Sequence, residues 1–384
     1  MKTVFFIVGL FFTLLSFGQV ANFKTKFDLP EELKETSGLL LINGKIVTHN
    51  DSGDVANLYE IDSLSGNLTR TIAISNATNV DWEDLAQDNT HIYIGDFGNN
   101  NGNRTDLKIY KILKSDYLTK TSVTAEIINF SYENQTDFTT RPNAHNFDAE
   151  AFVIYQNSIF IFTKNWANLQ TNVYKIPLTE GTHSAEKVSN ANVQVLITGA
   201  TYHDNRFFLS AYDTNANPFI IYMFNESGSD DVFNSNFTRI PLSDKIEQGS
   251  QIEGITSFDD FSGKYYLSRE FVSVNQGGMT FTFQQRLYEF YDDTSQLLST
   301  QNEFLNSLSL LPNPAKDKLF VRNTNQEFIA SHVKIYSVLG KEIINKINLS
   351  SKNEIDVSAL KSGIYLIKIQ LENKFLVTRK FIKL

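Results

Sequence analysis

The sequence of 384 residues contains no cysteine. Disulfide bonds, thiolate metal sites and a lipid-modified N-terminal cysteine are therefore excluded. No long stretch beyond the N-terminal leader repeats apolar residues at helical spacing, and no later segment is long and apolar enough to cross a membrane. The chain also lacks a G-x-S-x-G motif, a phosphate-binding glycine loop and histidine pairs at zinc-ligand spacing. We therefore expect a fold held together by burial and backbone hydrogen bonding.

Aromatic residues are abundant, with 31 Phe and 16 Tyr, and such residues favour β-strands. The N-terminus has a different character. Lys2 supplies a positive charge, an apolar run extends from Val4 to Phe17, and small residues precede Gln19. This pattern predicts a secretory signal peptide over residues 1–18, removed after Gly18. We expect an exported mature protein with no transmembrane segment.

Charge is distributed unevenly along the chain. Residues 308–384 contain 13 basic and 6 acidic residues, whereas residues 19–307 contain 20 basic and 37 acidic ones. This break predicts two units: a body over 19–301 and a C-terminal domain over 309–384, joined by a linker over 302–308. The acidic body is unsuited to nucleic acid and better suited to divalent cations or cationic ligands.

The body contains a repeated pattern, most clearly in Asp148 to Asn165, DAEAFVIYQNSIFIFTKN. An acidic pair leads into an apolar strand, and a polar turn connects that strand to a second one. A third strand with a tyrosine in register follows. The pattern occurs five times, and its third-strand tyrosines are Tyr59, Tyr110, Tyr174, Tyr222 and Tyr288. We expect these tyrosines to pack between neighbouring sheets.

Fourth strands are predicted in four of the units, at residues 68–74, 126–132, 192–197 and 237–242. The fifth unit lacks one, while an isolated strand-like segment, Phe23 to Leu29, precedes the first unit. The simplest arrangement is that this segment completes the last sheet and closes a ring. Radially repeated four-stranded sheets form a β-propeller. We predict five blades, with six as the alternative because residues 115–146 have room for a degenerate blade.

In such a blade the first strand starts, and the second strand ends, on the same rim of the axial channel. The residues predicted to form a ligand-binding rim are Glu35, Asp51, Glu83, Asp96, Glu150, Lys164, Glu253 and Arg269. Asp81, Asp148 and Glu270 are placed on the same rim but not assigned to the ligand set. Converging carboxylates repel one another unless a cation lies between them.

Glu83, Glu150 and Glu253 are accordingly predicted as ligands of a divalent cation such as Ca²⁺. Two alternatives remain open. Lys164 and Arg269 would neutralise these acids or orient an anionic group, or the acids would only accept backbone hydrogen bonds from adjoining loops. Asp51, in Asn50-Asp51-Ser52-Gly53, is also explained as a turn residue.

The C-terminal segment carries a series of ordered motifs. They are Leu311-Pro312-Asn313-Pro314-Ala315, the stretch VKIYSVLGK over residues 333–341, the stretch IDVSALKSGIY over 355–365, and TRKFIK over 378–383. This segment resembles the type A C-terminal sorting domain of the type IX secretion system. The resemblance implies a small β-sandwich recognised by the outer-membrane translocon. It also implies removal of the domain, followed by release or surface attachment of the cargo.

In the body, the segments DWEDLA, DAEAF and QIEGI resemble inner-strand motifs of secreted propellers that include calcium-dependent phosphoesterases and lactonases. The function predicted from the sequence is an exported module that binds an unknown extracellular ligand, with a cation, at the acidic rim. The alternatives are a calcium-dependent hydrolase of phosphoesters or lactones, and a structural surface protein. The sequence does not decide whether the protein is an enzyme.

Overall fold

A computed structural model describes residues 20–203, 205–225, 228–234, 236–258, 263–292, 308–323, 330–338, 341–347, 354–371 and 376–384. The expected signal peptide and residues 302–307 of the expected linker lie outside these ranges. The chain divides into two compact units, Met1–Asp293 and Thr294–Leu384. Within the described residues, no helix is long and apolar enough to span a membrane.

The described residues of the first unit form short strands with one α-helix, α1 (Lys114–Thr119), and a 3-10 turn at Glu31–Leu33. Its strands in chain order are β1 (Val20–Asp28), β2 (Thr36–Ile42), β3 (Lys45–Asn50), β4 (Asn57–Asp62), β5 (Leu68–Ile74), β6 (Trp82–Gln87), β7 (His91–Asp96), β8 (Lys108–Leu113), β9 (Ser122–Val123), β10 (Glu126–Tyr132), β11 (Ala149–Tyr155), β12 (Ser158–Thr163), β13 (Thr171–Pro177), β14 (Gly181–Ala191), β15 (Leu196–His203), β16 (Arg206–Tyr212), β17 (Pro218–Phe224), β18 (Phe237–Pro241), β19 (Ile252–Ser257), β20 (Lys264–Arg269), β21 (Val272–Gln276), β22 (Met279–Phe283) and β23 (Arg286–Asp292).

These strands form antiparallel four-stranded sheets in the orders β2-β3-β4-β5, β6-β7-β8-β10, β11-β12-β13-β14, β15-β16-β17-β18 and β19-β20-β23-β1. The first strands of the sheets, β2, β6, β11, β15 and β19, pack against one another in cyclic order, with β19 next to β2. The body is therefore a β-propeller. β1 pairs with β23, from Val20 opposite Asp292 to Asp28 opposite Arg286. This pairing confirms that the N-terminal strand completes the last sheet.

The outer edges contain pairings that the sequence did not predict. β9 extends the first sheet in parallel with β5, and β10 pairs in parallel with β14 of the next sheet. The segment considered for an additional blade thus contains all of α1 except Lys114, together with β9, β10 and a connecting loop. The predicted fourth strand at 192–197 is wrong, because the strand in that place is β14 (Gly181–Ala191). Its sequence, GTHSAEKVSNA, has no apolar run because much of this outer strand is exposed to water.

The core lies between neighbouring sheets. Trp82 and Tyr110 belong to a buried cluster that includes Leu58 and Ile72 of the first sheet. Four of the five predicted third-strand tyrosines are buried, and the fifth, Tyr222, is half-buried against another cluster. Aromatic rings and aliphatic side chains buried between neighbouring sheets remove apolar surface from water and so hold the sheets together without covalent links.

Every first strand contains a β-bulge at an equivalent place. The pairing with the second strand is interrupted around Ser37, Glu83, Glu150, Thr198 and Glu253. Small residues follow these positions in most strands because the strands approach one another closely. A Cβ on Gly254, for example, would overlap the backbone of Ser37 and Gly38. A bulge redirects the side chain it carries, so these five positions determine which groups are presented to the channel.

The second unit contains β24 (Leu308–Leu311), β25 (Lys318–Asn323), β26 (Ala330–Ser337), β27 (Glu342–Ile347), β28 (Glu354–Asp356), β29 (Gly363–Leu371) and β30 (Leu376–Lys383). They form one sheet in the order β24-β25-β28 and another in the order β27-β26-β29-β30. A buried cluster that includes Leu319, Val333, Ile367 and Phe381 draws residues from both sheets. The predicted β-sandwich is confirmed.

Candidate functional site

Backbone hydrogen bonds bring the start of each first strand to the end of the second strand. The amide of Lys164 donates to the carbonyl of Asp148 over 2.9 Å, and the amide of Asp51 donates to the carbonyl of Glu35 over 2.8 Å. In the fifth sheet the amide of Glu270 donates to the carbonyl of Gln251 over 3.1 Å. These contacts define one mouth of the axial channel, which we call the acidic mouth.

Three carboxylates form the most compact group in the acidic mouth. Asp51, Asp81 and Glu83 each place an oxygen within 4.8 Å of the other two. Asp51 follows β3, whereas Asp81 and Glu83 lie on either side of the first residue of β6. Gly98 fits directly behind this group, since a Cβ at that position would overlap the carboxylates of both Glu83 and Asp81. Two blades thus contribute to one cluster of oxygen atoms.

The cluster is an electrostatically costly arrangement. Glu83 is only 3% exposed, and among the described residues no donor reaches its carboxylate or that of Asp81. Burial, reinforced by Asp51, Glu150 and Asp81, raises the pKa of Glu83 well above its usual range. Burial and neighbouring acids also raise the pKa of Asp81 to about 7 and that of Asp51 to about 6. Carboxylates shifted in this direction are stabilised by protons or by a bound cation.

Lys164 supplies a positive charge within the mouth. Its Nζ lies 2.5 Å from both carboxylate oxygens of Glu150, and both side chains are almost fully buried. The same ammonium lies 4.9 Å from the ring centroids of Trp166 and Tyr212, close enough for cation–π attraction. Burial opposes the charge of Lys164, but the surrounding carboxylates, chiefly Glu150, raise its pKa well above its usual range. Glu150 and Lys164 therefore form a buried ion pair.

Two further acids enter the mouth from the fifth sheet. Glu253, at the bulge of β19, is 6% exposed, and Glu270 follows β20. No described residue donates a hydrogen bond to either carboxylate. Burial, followed by the charge of Glu150, raises the pKa of Glu253 well above its usual range. Burial, followed by the charge of Asp51, raises the pKa of Glu270 to about 8.

Three of the rim residues predicted from the sequence have other surroundings. The guanidinium of Arg104 donates to Asp96 over 2.9 Å, and Asp96 is fully buried. Arg269 donates to the carbonyl of Gln284 and to Glu247, so it stabilises the loops that precede β23 and β19 rather than neutralising the three glutamates. Glu35 is exposed at the edge of the mouth.

Two buried aspartates accept backbone hydrogen bonds from adjoining segments, which is a structural role. Asp148 accepts hydrogen bonds from the amide of Asn99 over 2.7 Å and from Trp166 Nε1 over 2.8 Å. Asp84, which was not singled out from the sequence, accepts from the amides of Phe152 and Ala200 over 3.1 Å each and so connects three inner strands. The aligned first strands carry Gly or Ala at the position of Asp84. A carboxylate in place of such a small residue is the sequence feature that would have indicated a special role.

Asp81 and Glu270 were predicted to lie on the rim but were not predicted to bind the ligand. Asp81 precedes Glu83 by two residues, as Asp148 precedes Glu150, and only the structure separates their roles. Asp148 is held by donors, whereas Asp81 joins the compact cluster. The three glutamates predicted as metal ligands divide similarly: Glu83 is in that cluster, Glu150 is bound to Lys164, and Glu253 belongs to neither arrangement.

Residues 309–384 match the family described as the secretion system C-terminal sorting domain. This match confirms the resemblance drawn from the sequence motifs. The protein is therefore recognised by the type IX secretion machinery and exported to the outer-membrane surface or the extracellular space. No curated protein matches the chain.

Several solved structures are distantly similar. An exo-β-1,3-galactanase from Phanerochaete chrysosporium, solved with galactose, has 10% identity and a TM-score of 0.44, with 95% of this chain and 99% of that one covered. A GH43_1 enzyme from Xanthomonas citri has 13% identity and a TM-score of 0.35, covering 70% and 89%. A protein provisionally described as a gluconolactonase has 8% identity and a TM-score of 0.38, covering 69% and 76%.

Proposed function

We propose that the exported propeller is a ligand-binding module whose acidic mouth holds a divalent cation at Asp51, Asp81 and Glu83. The observation that carries the proposal is the convergence of three carboxylates, within 4.8 Å, on a place where Glu83 and Asp81 have no hydrogen-bond donor among the described residues. Ca²⁺ is the expected ion because it takes six to eight oxygen ligands in flexible geometry.

The side chains of the mouth have two proposed roles: some bind the cation, and others form the wall around it. Asp51, Asp81 and Glu83 supply up to six oxygens, and Gly98 leaves the space that their carboxylates require. When bound, the cation would offer its remaining coordination positions to oxygen atoms of a ligand. The buried Lys164–Glu150 pair and the ring of Trp166 form part of the surrounding wall. The extracellular ligand enters through the open side of the mouth.

Calorimetric titration of the mature chain, first treated with a chelator, tests the cation site. We expect one Ca²⁺ equivalent to bind and to raise the melting temperature. Asp81→Asn should weaken binding at least tenfold. The matched control is Glu126→Gln, which removes an exposed outer-strand carboxylate paired with Lys111. Wild-type protein that binds no Ca²⁺, Mg²⁺ or Mn²⁺ would contradict the proposal.

A second candidate is a metal-dependent hydrolase of phosphoesters or lactones. The observation that favours it is the position of Glu270 in the same mouth, directly after β20. Burial, followed by the charge of Asp51, raises the pKa of Glu270 to about 8, which suits an acid or base acting near neutral pH. A bound cation would polarise the carbonyl or phosphoryl oxygen. Generic phosphodiester and lactone substrates should then be turned over by wild type and much more slowly by Glu150→Gln and Glu270→Gln. No turnover by the calcium-loaded wild type would exclude this candidate.

We also propose the following chain organisation: a signal peptide over residues 1–18, a propeller over 19–301, a linker over 302–308 and a sorting domain over 309–384. The charge reversal near residue 308 and the family match from residue 309 support it. N-terminal sequencing and intact mass of the exported protein test both ends of this organisation. Mature protein that begins at Met1 would contradict the first boundary.

A further inference from the structure

The acidic mouth contains more negative charge than one divalent cation and Lys164 account for. Asp51, Asp81 and Glu83 belong to the proposed cation cluster, and Glu150 holds Lys164. Glu253 and Glu270 remain, both in the fifth blade. Lys164 is the positive group that acts on both of them, but its ammonium already contacts both oxygens of Glu150.

Among the described residues, Glu253 and Glu270 do not belong to a compact group of three ligand atoms such as a small-ion site requires. Within the part of the chain that the structure describes, Asp51, Asp81 and Glu83 are the acidic or histidine side chains that bring three ligand atoms within 4.8 Å of one another. Glu253 and Glu270 complete no such group. A metal ion needs its ligand oxygens at about 2.3–2.6 Å, whereas an ammonium or guanidinium donates to carboxylate oxygens at about 2.7–2.9 Å and in several directions.

The degree of burial shows that Glu253 is not an ordinary surface acid. The residue is 6% exposed, it lies at the bulge of β19, and no described residue donates to its carboxylate. A buried carboxylate without a partner is costly unless a ligand provides one. Lys164 provides a precedent in the same mouth, since its ammonium is held by a carboxylate and two aromatic faces.

We infer that Glu253 and Glu270 form a subsite, beside the cation cluster, for a positively charged organic group of the ligand such as a primary ammonium or a guanidinium. The inference rests on the acidic mouth being the ligand site proposed above. The expected ligand is an amine-bearing molecule. Its ammonium or guanidinium group would lie near Glu253, and one of its oxygen atoms would coordinate the cation. Burial raises the pKa of both glutamates although Lys164 acts in the opposite direction, which agrees with acids whose charge Lys164 offsets only in part.

Calorimetry with calcium-saturated mature protein at pH 8.5 and low salt tests the subsite. The probe is 1,5-diaminopentane, and its matched neutral and anionic analogues are 1,5-pentanediol and glutarate. We expect the diamine to bind and the diol and glutarate to bind at least tenfold more weakly. Glu270→Gln and Glu253→Gln should each weaken diamine binding at least tenfold, whereas the control Glu126→Gln should leave it within twofold. Because Glu270 is only half-buried, its variant keeps the test valid if Glu253→Gln does not fold.

The remaining outcomes separate this inference from the proposed cation site. Equal binding of diamine and diol, or no binding of the diamine, overturns the subsite. Competition between calcium and the diamine overturns it as well, because both would then occupy the same cluster. If calcium binds and the diamine does not, the cation site stands alone. If the diamine binds with the expected variant pattern and calcium does not, the subsite stands and the cation proposal fails.

Discussion

Replacing Glu83 by glutamine should change stability and cation binding in opposite directions. The substitution keeps the volume of the side chain but removes one charge from a group whose oxygens lie within 4.8 Å. At that separation, two unit charges repel by about 3.5 kcal/mol at an effective dielectric constant of about 20. The cation-free protein avoids part of this repulsion by binding protons. We therefore expect the free energy of unfolding of Glu83→Gln to rise by less than this, about 1–2 kcal/mol at pH 8. A body of this size should then melt about 2–4 °C higher.

The affinity for calcium should fall in the same variant. One lost carboxylate should weaken binding about 10- to 100-fold, which corresponds to about 1.4–2.7 kcal/mol. The assay compares scanning calorimetry of wild type and Glu83→Gln in chelator at pH 8 with calcium titration of both. Glu126→Gln serves again as the control, because its carboxylate lies outside the mouth. A variant that melts lower than wild type in chelator, or binds calcium within twofold of wild type, would refute the reasoning.

Three further predictions concern pH and packing. The pKa values of Asp81, about 7, and Glu270, about 8, lie above those of the unfolded chain, so the folded protein binds more protons than the unfolded chain does. The stability that comes from this protonation is therefore lost as the pH rises towards 8. Cation-free protein should therefore melt higher at pH 5.5 than at pH 8 in calorimetry, and a melting temperature that rises with pH would contradict this. Asp84→Ala should cost about 3 kcal/mol in urea unfolding, because it leaves buried amides of three inner strands without an acceptor. An unchanged midpoint would show that water replaces the carboxylate. Gly254→Ala should cost several kcal/mol because its Cβ would overlap a neighbouring inner strand, whereas Gly44→Ala, in an open turn at φ 77°, should cost about 1 kcal/mol. Similar losses for both variants would mean that the inner ring has room to relax.

The sequence predicted the strands best where one side of a strand is buried. Leu68–Ile74 and Glu126–Tyr132 were predicted with the observed bounds, because apolar residues alternate there against the core. β14 was missed because much of this outer strand is exposed and its polar sequence resembles a loop. The parallel pairing of β10 with β14 was also beyond prediction, since it joins edges of different blades.

Site residues were predictable as a set but not as individuals. Repetition placed Glu83, Glu150 and Glu253 at one bulge position because alignment carries over from blade to blade. Their separate roles depend on neighbours that come from other blades and loops. Arg269 illustrates the limit: it aligns with the rim, yet its guanidinium is held by Gln284 and Glu247 from sequence positions that carry no repeat signal.

The sequence by itself determined the export route, the β-propeller and the presence of an acidic mouth, because motif order, strand periodicity and repetition are properties of the chain. The tertiary structure alone decided which carboxylates meet. Asp51 from one blade and Asp81 with Glu83 from the next form a cluster, while the ammonium of Lys164 contacts Glu150 rather than Glu253. Electrostatic energy depends on distances of a few ångströms between atoms, and ring closure sets those distances between residues far apart in the chain.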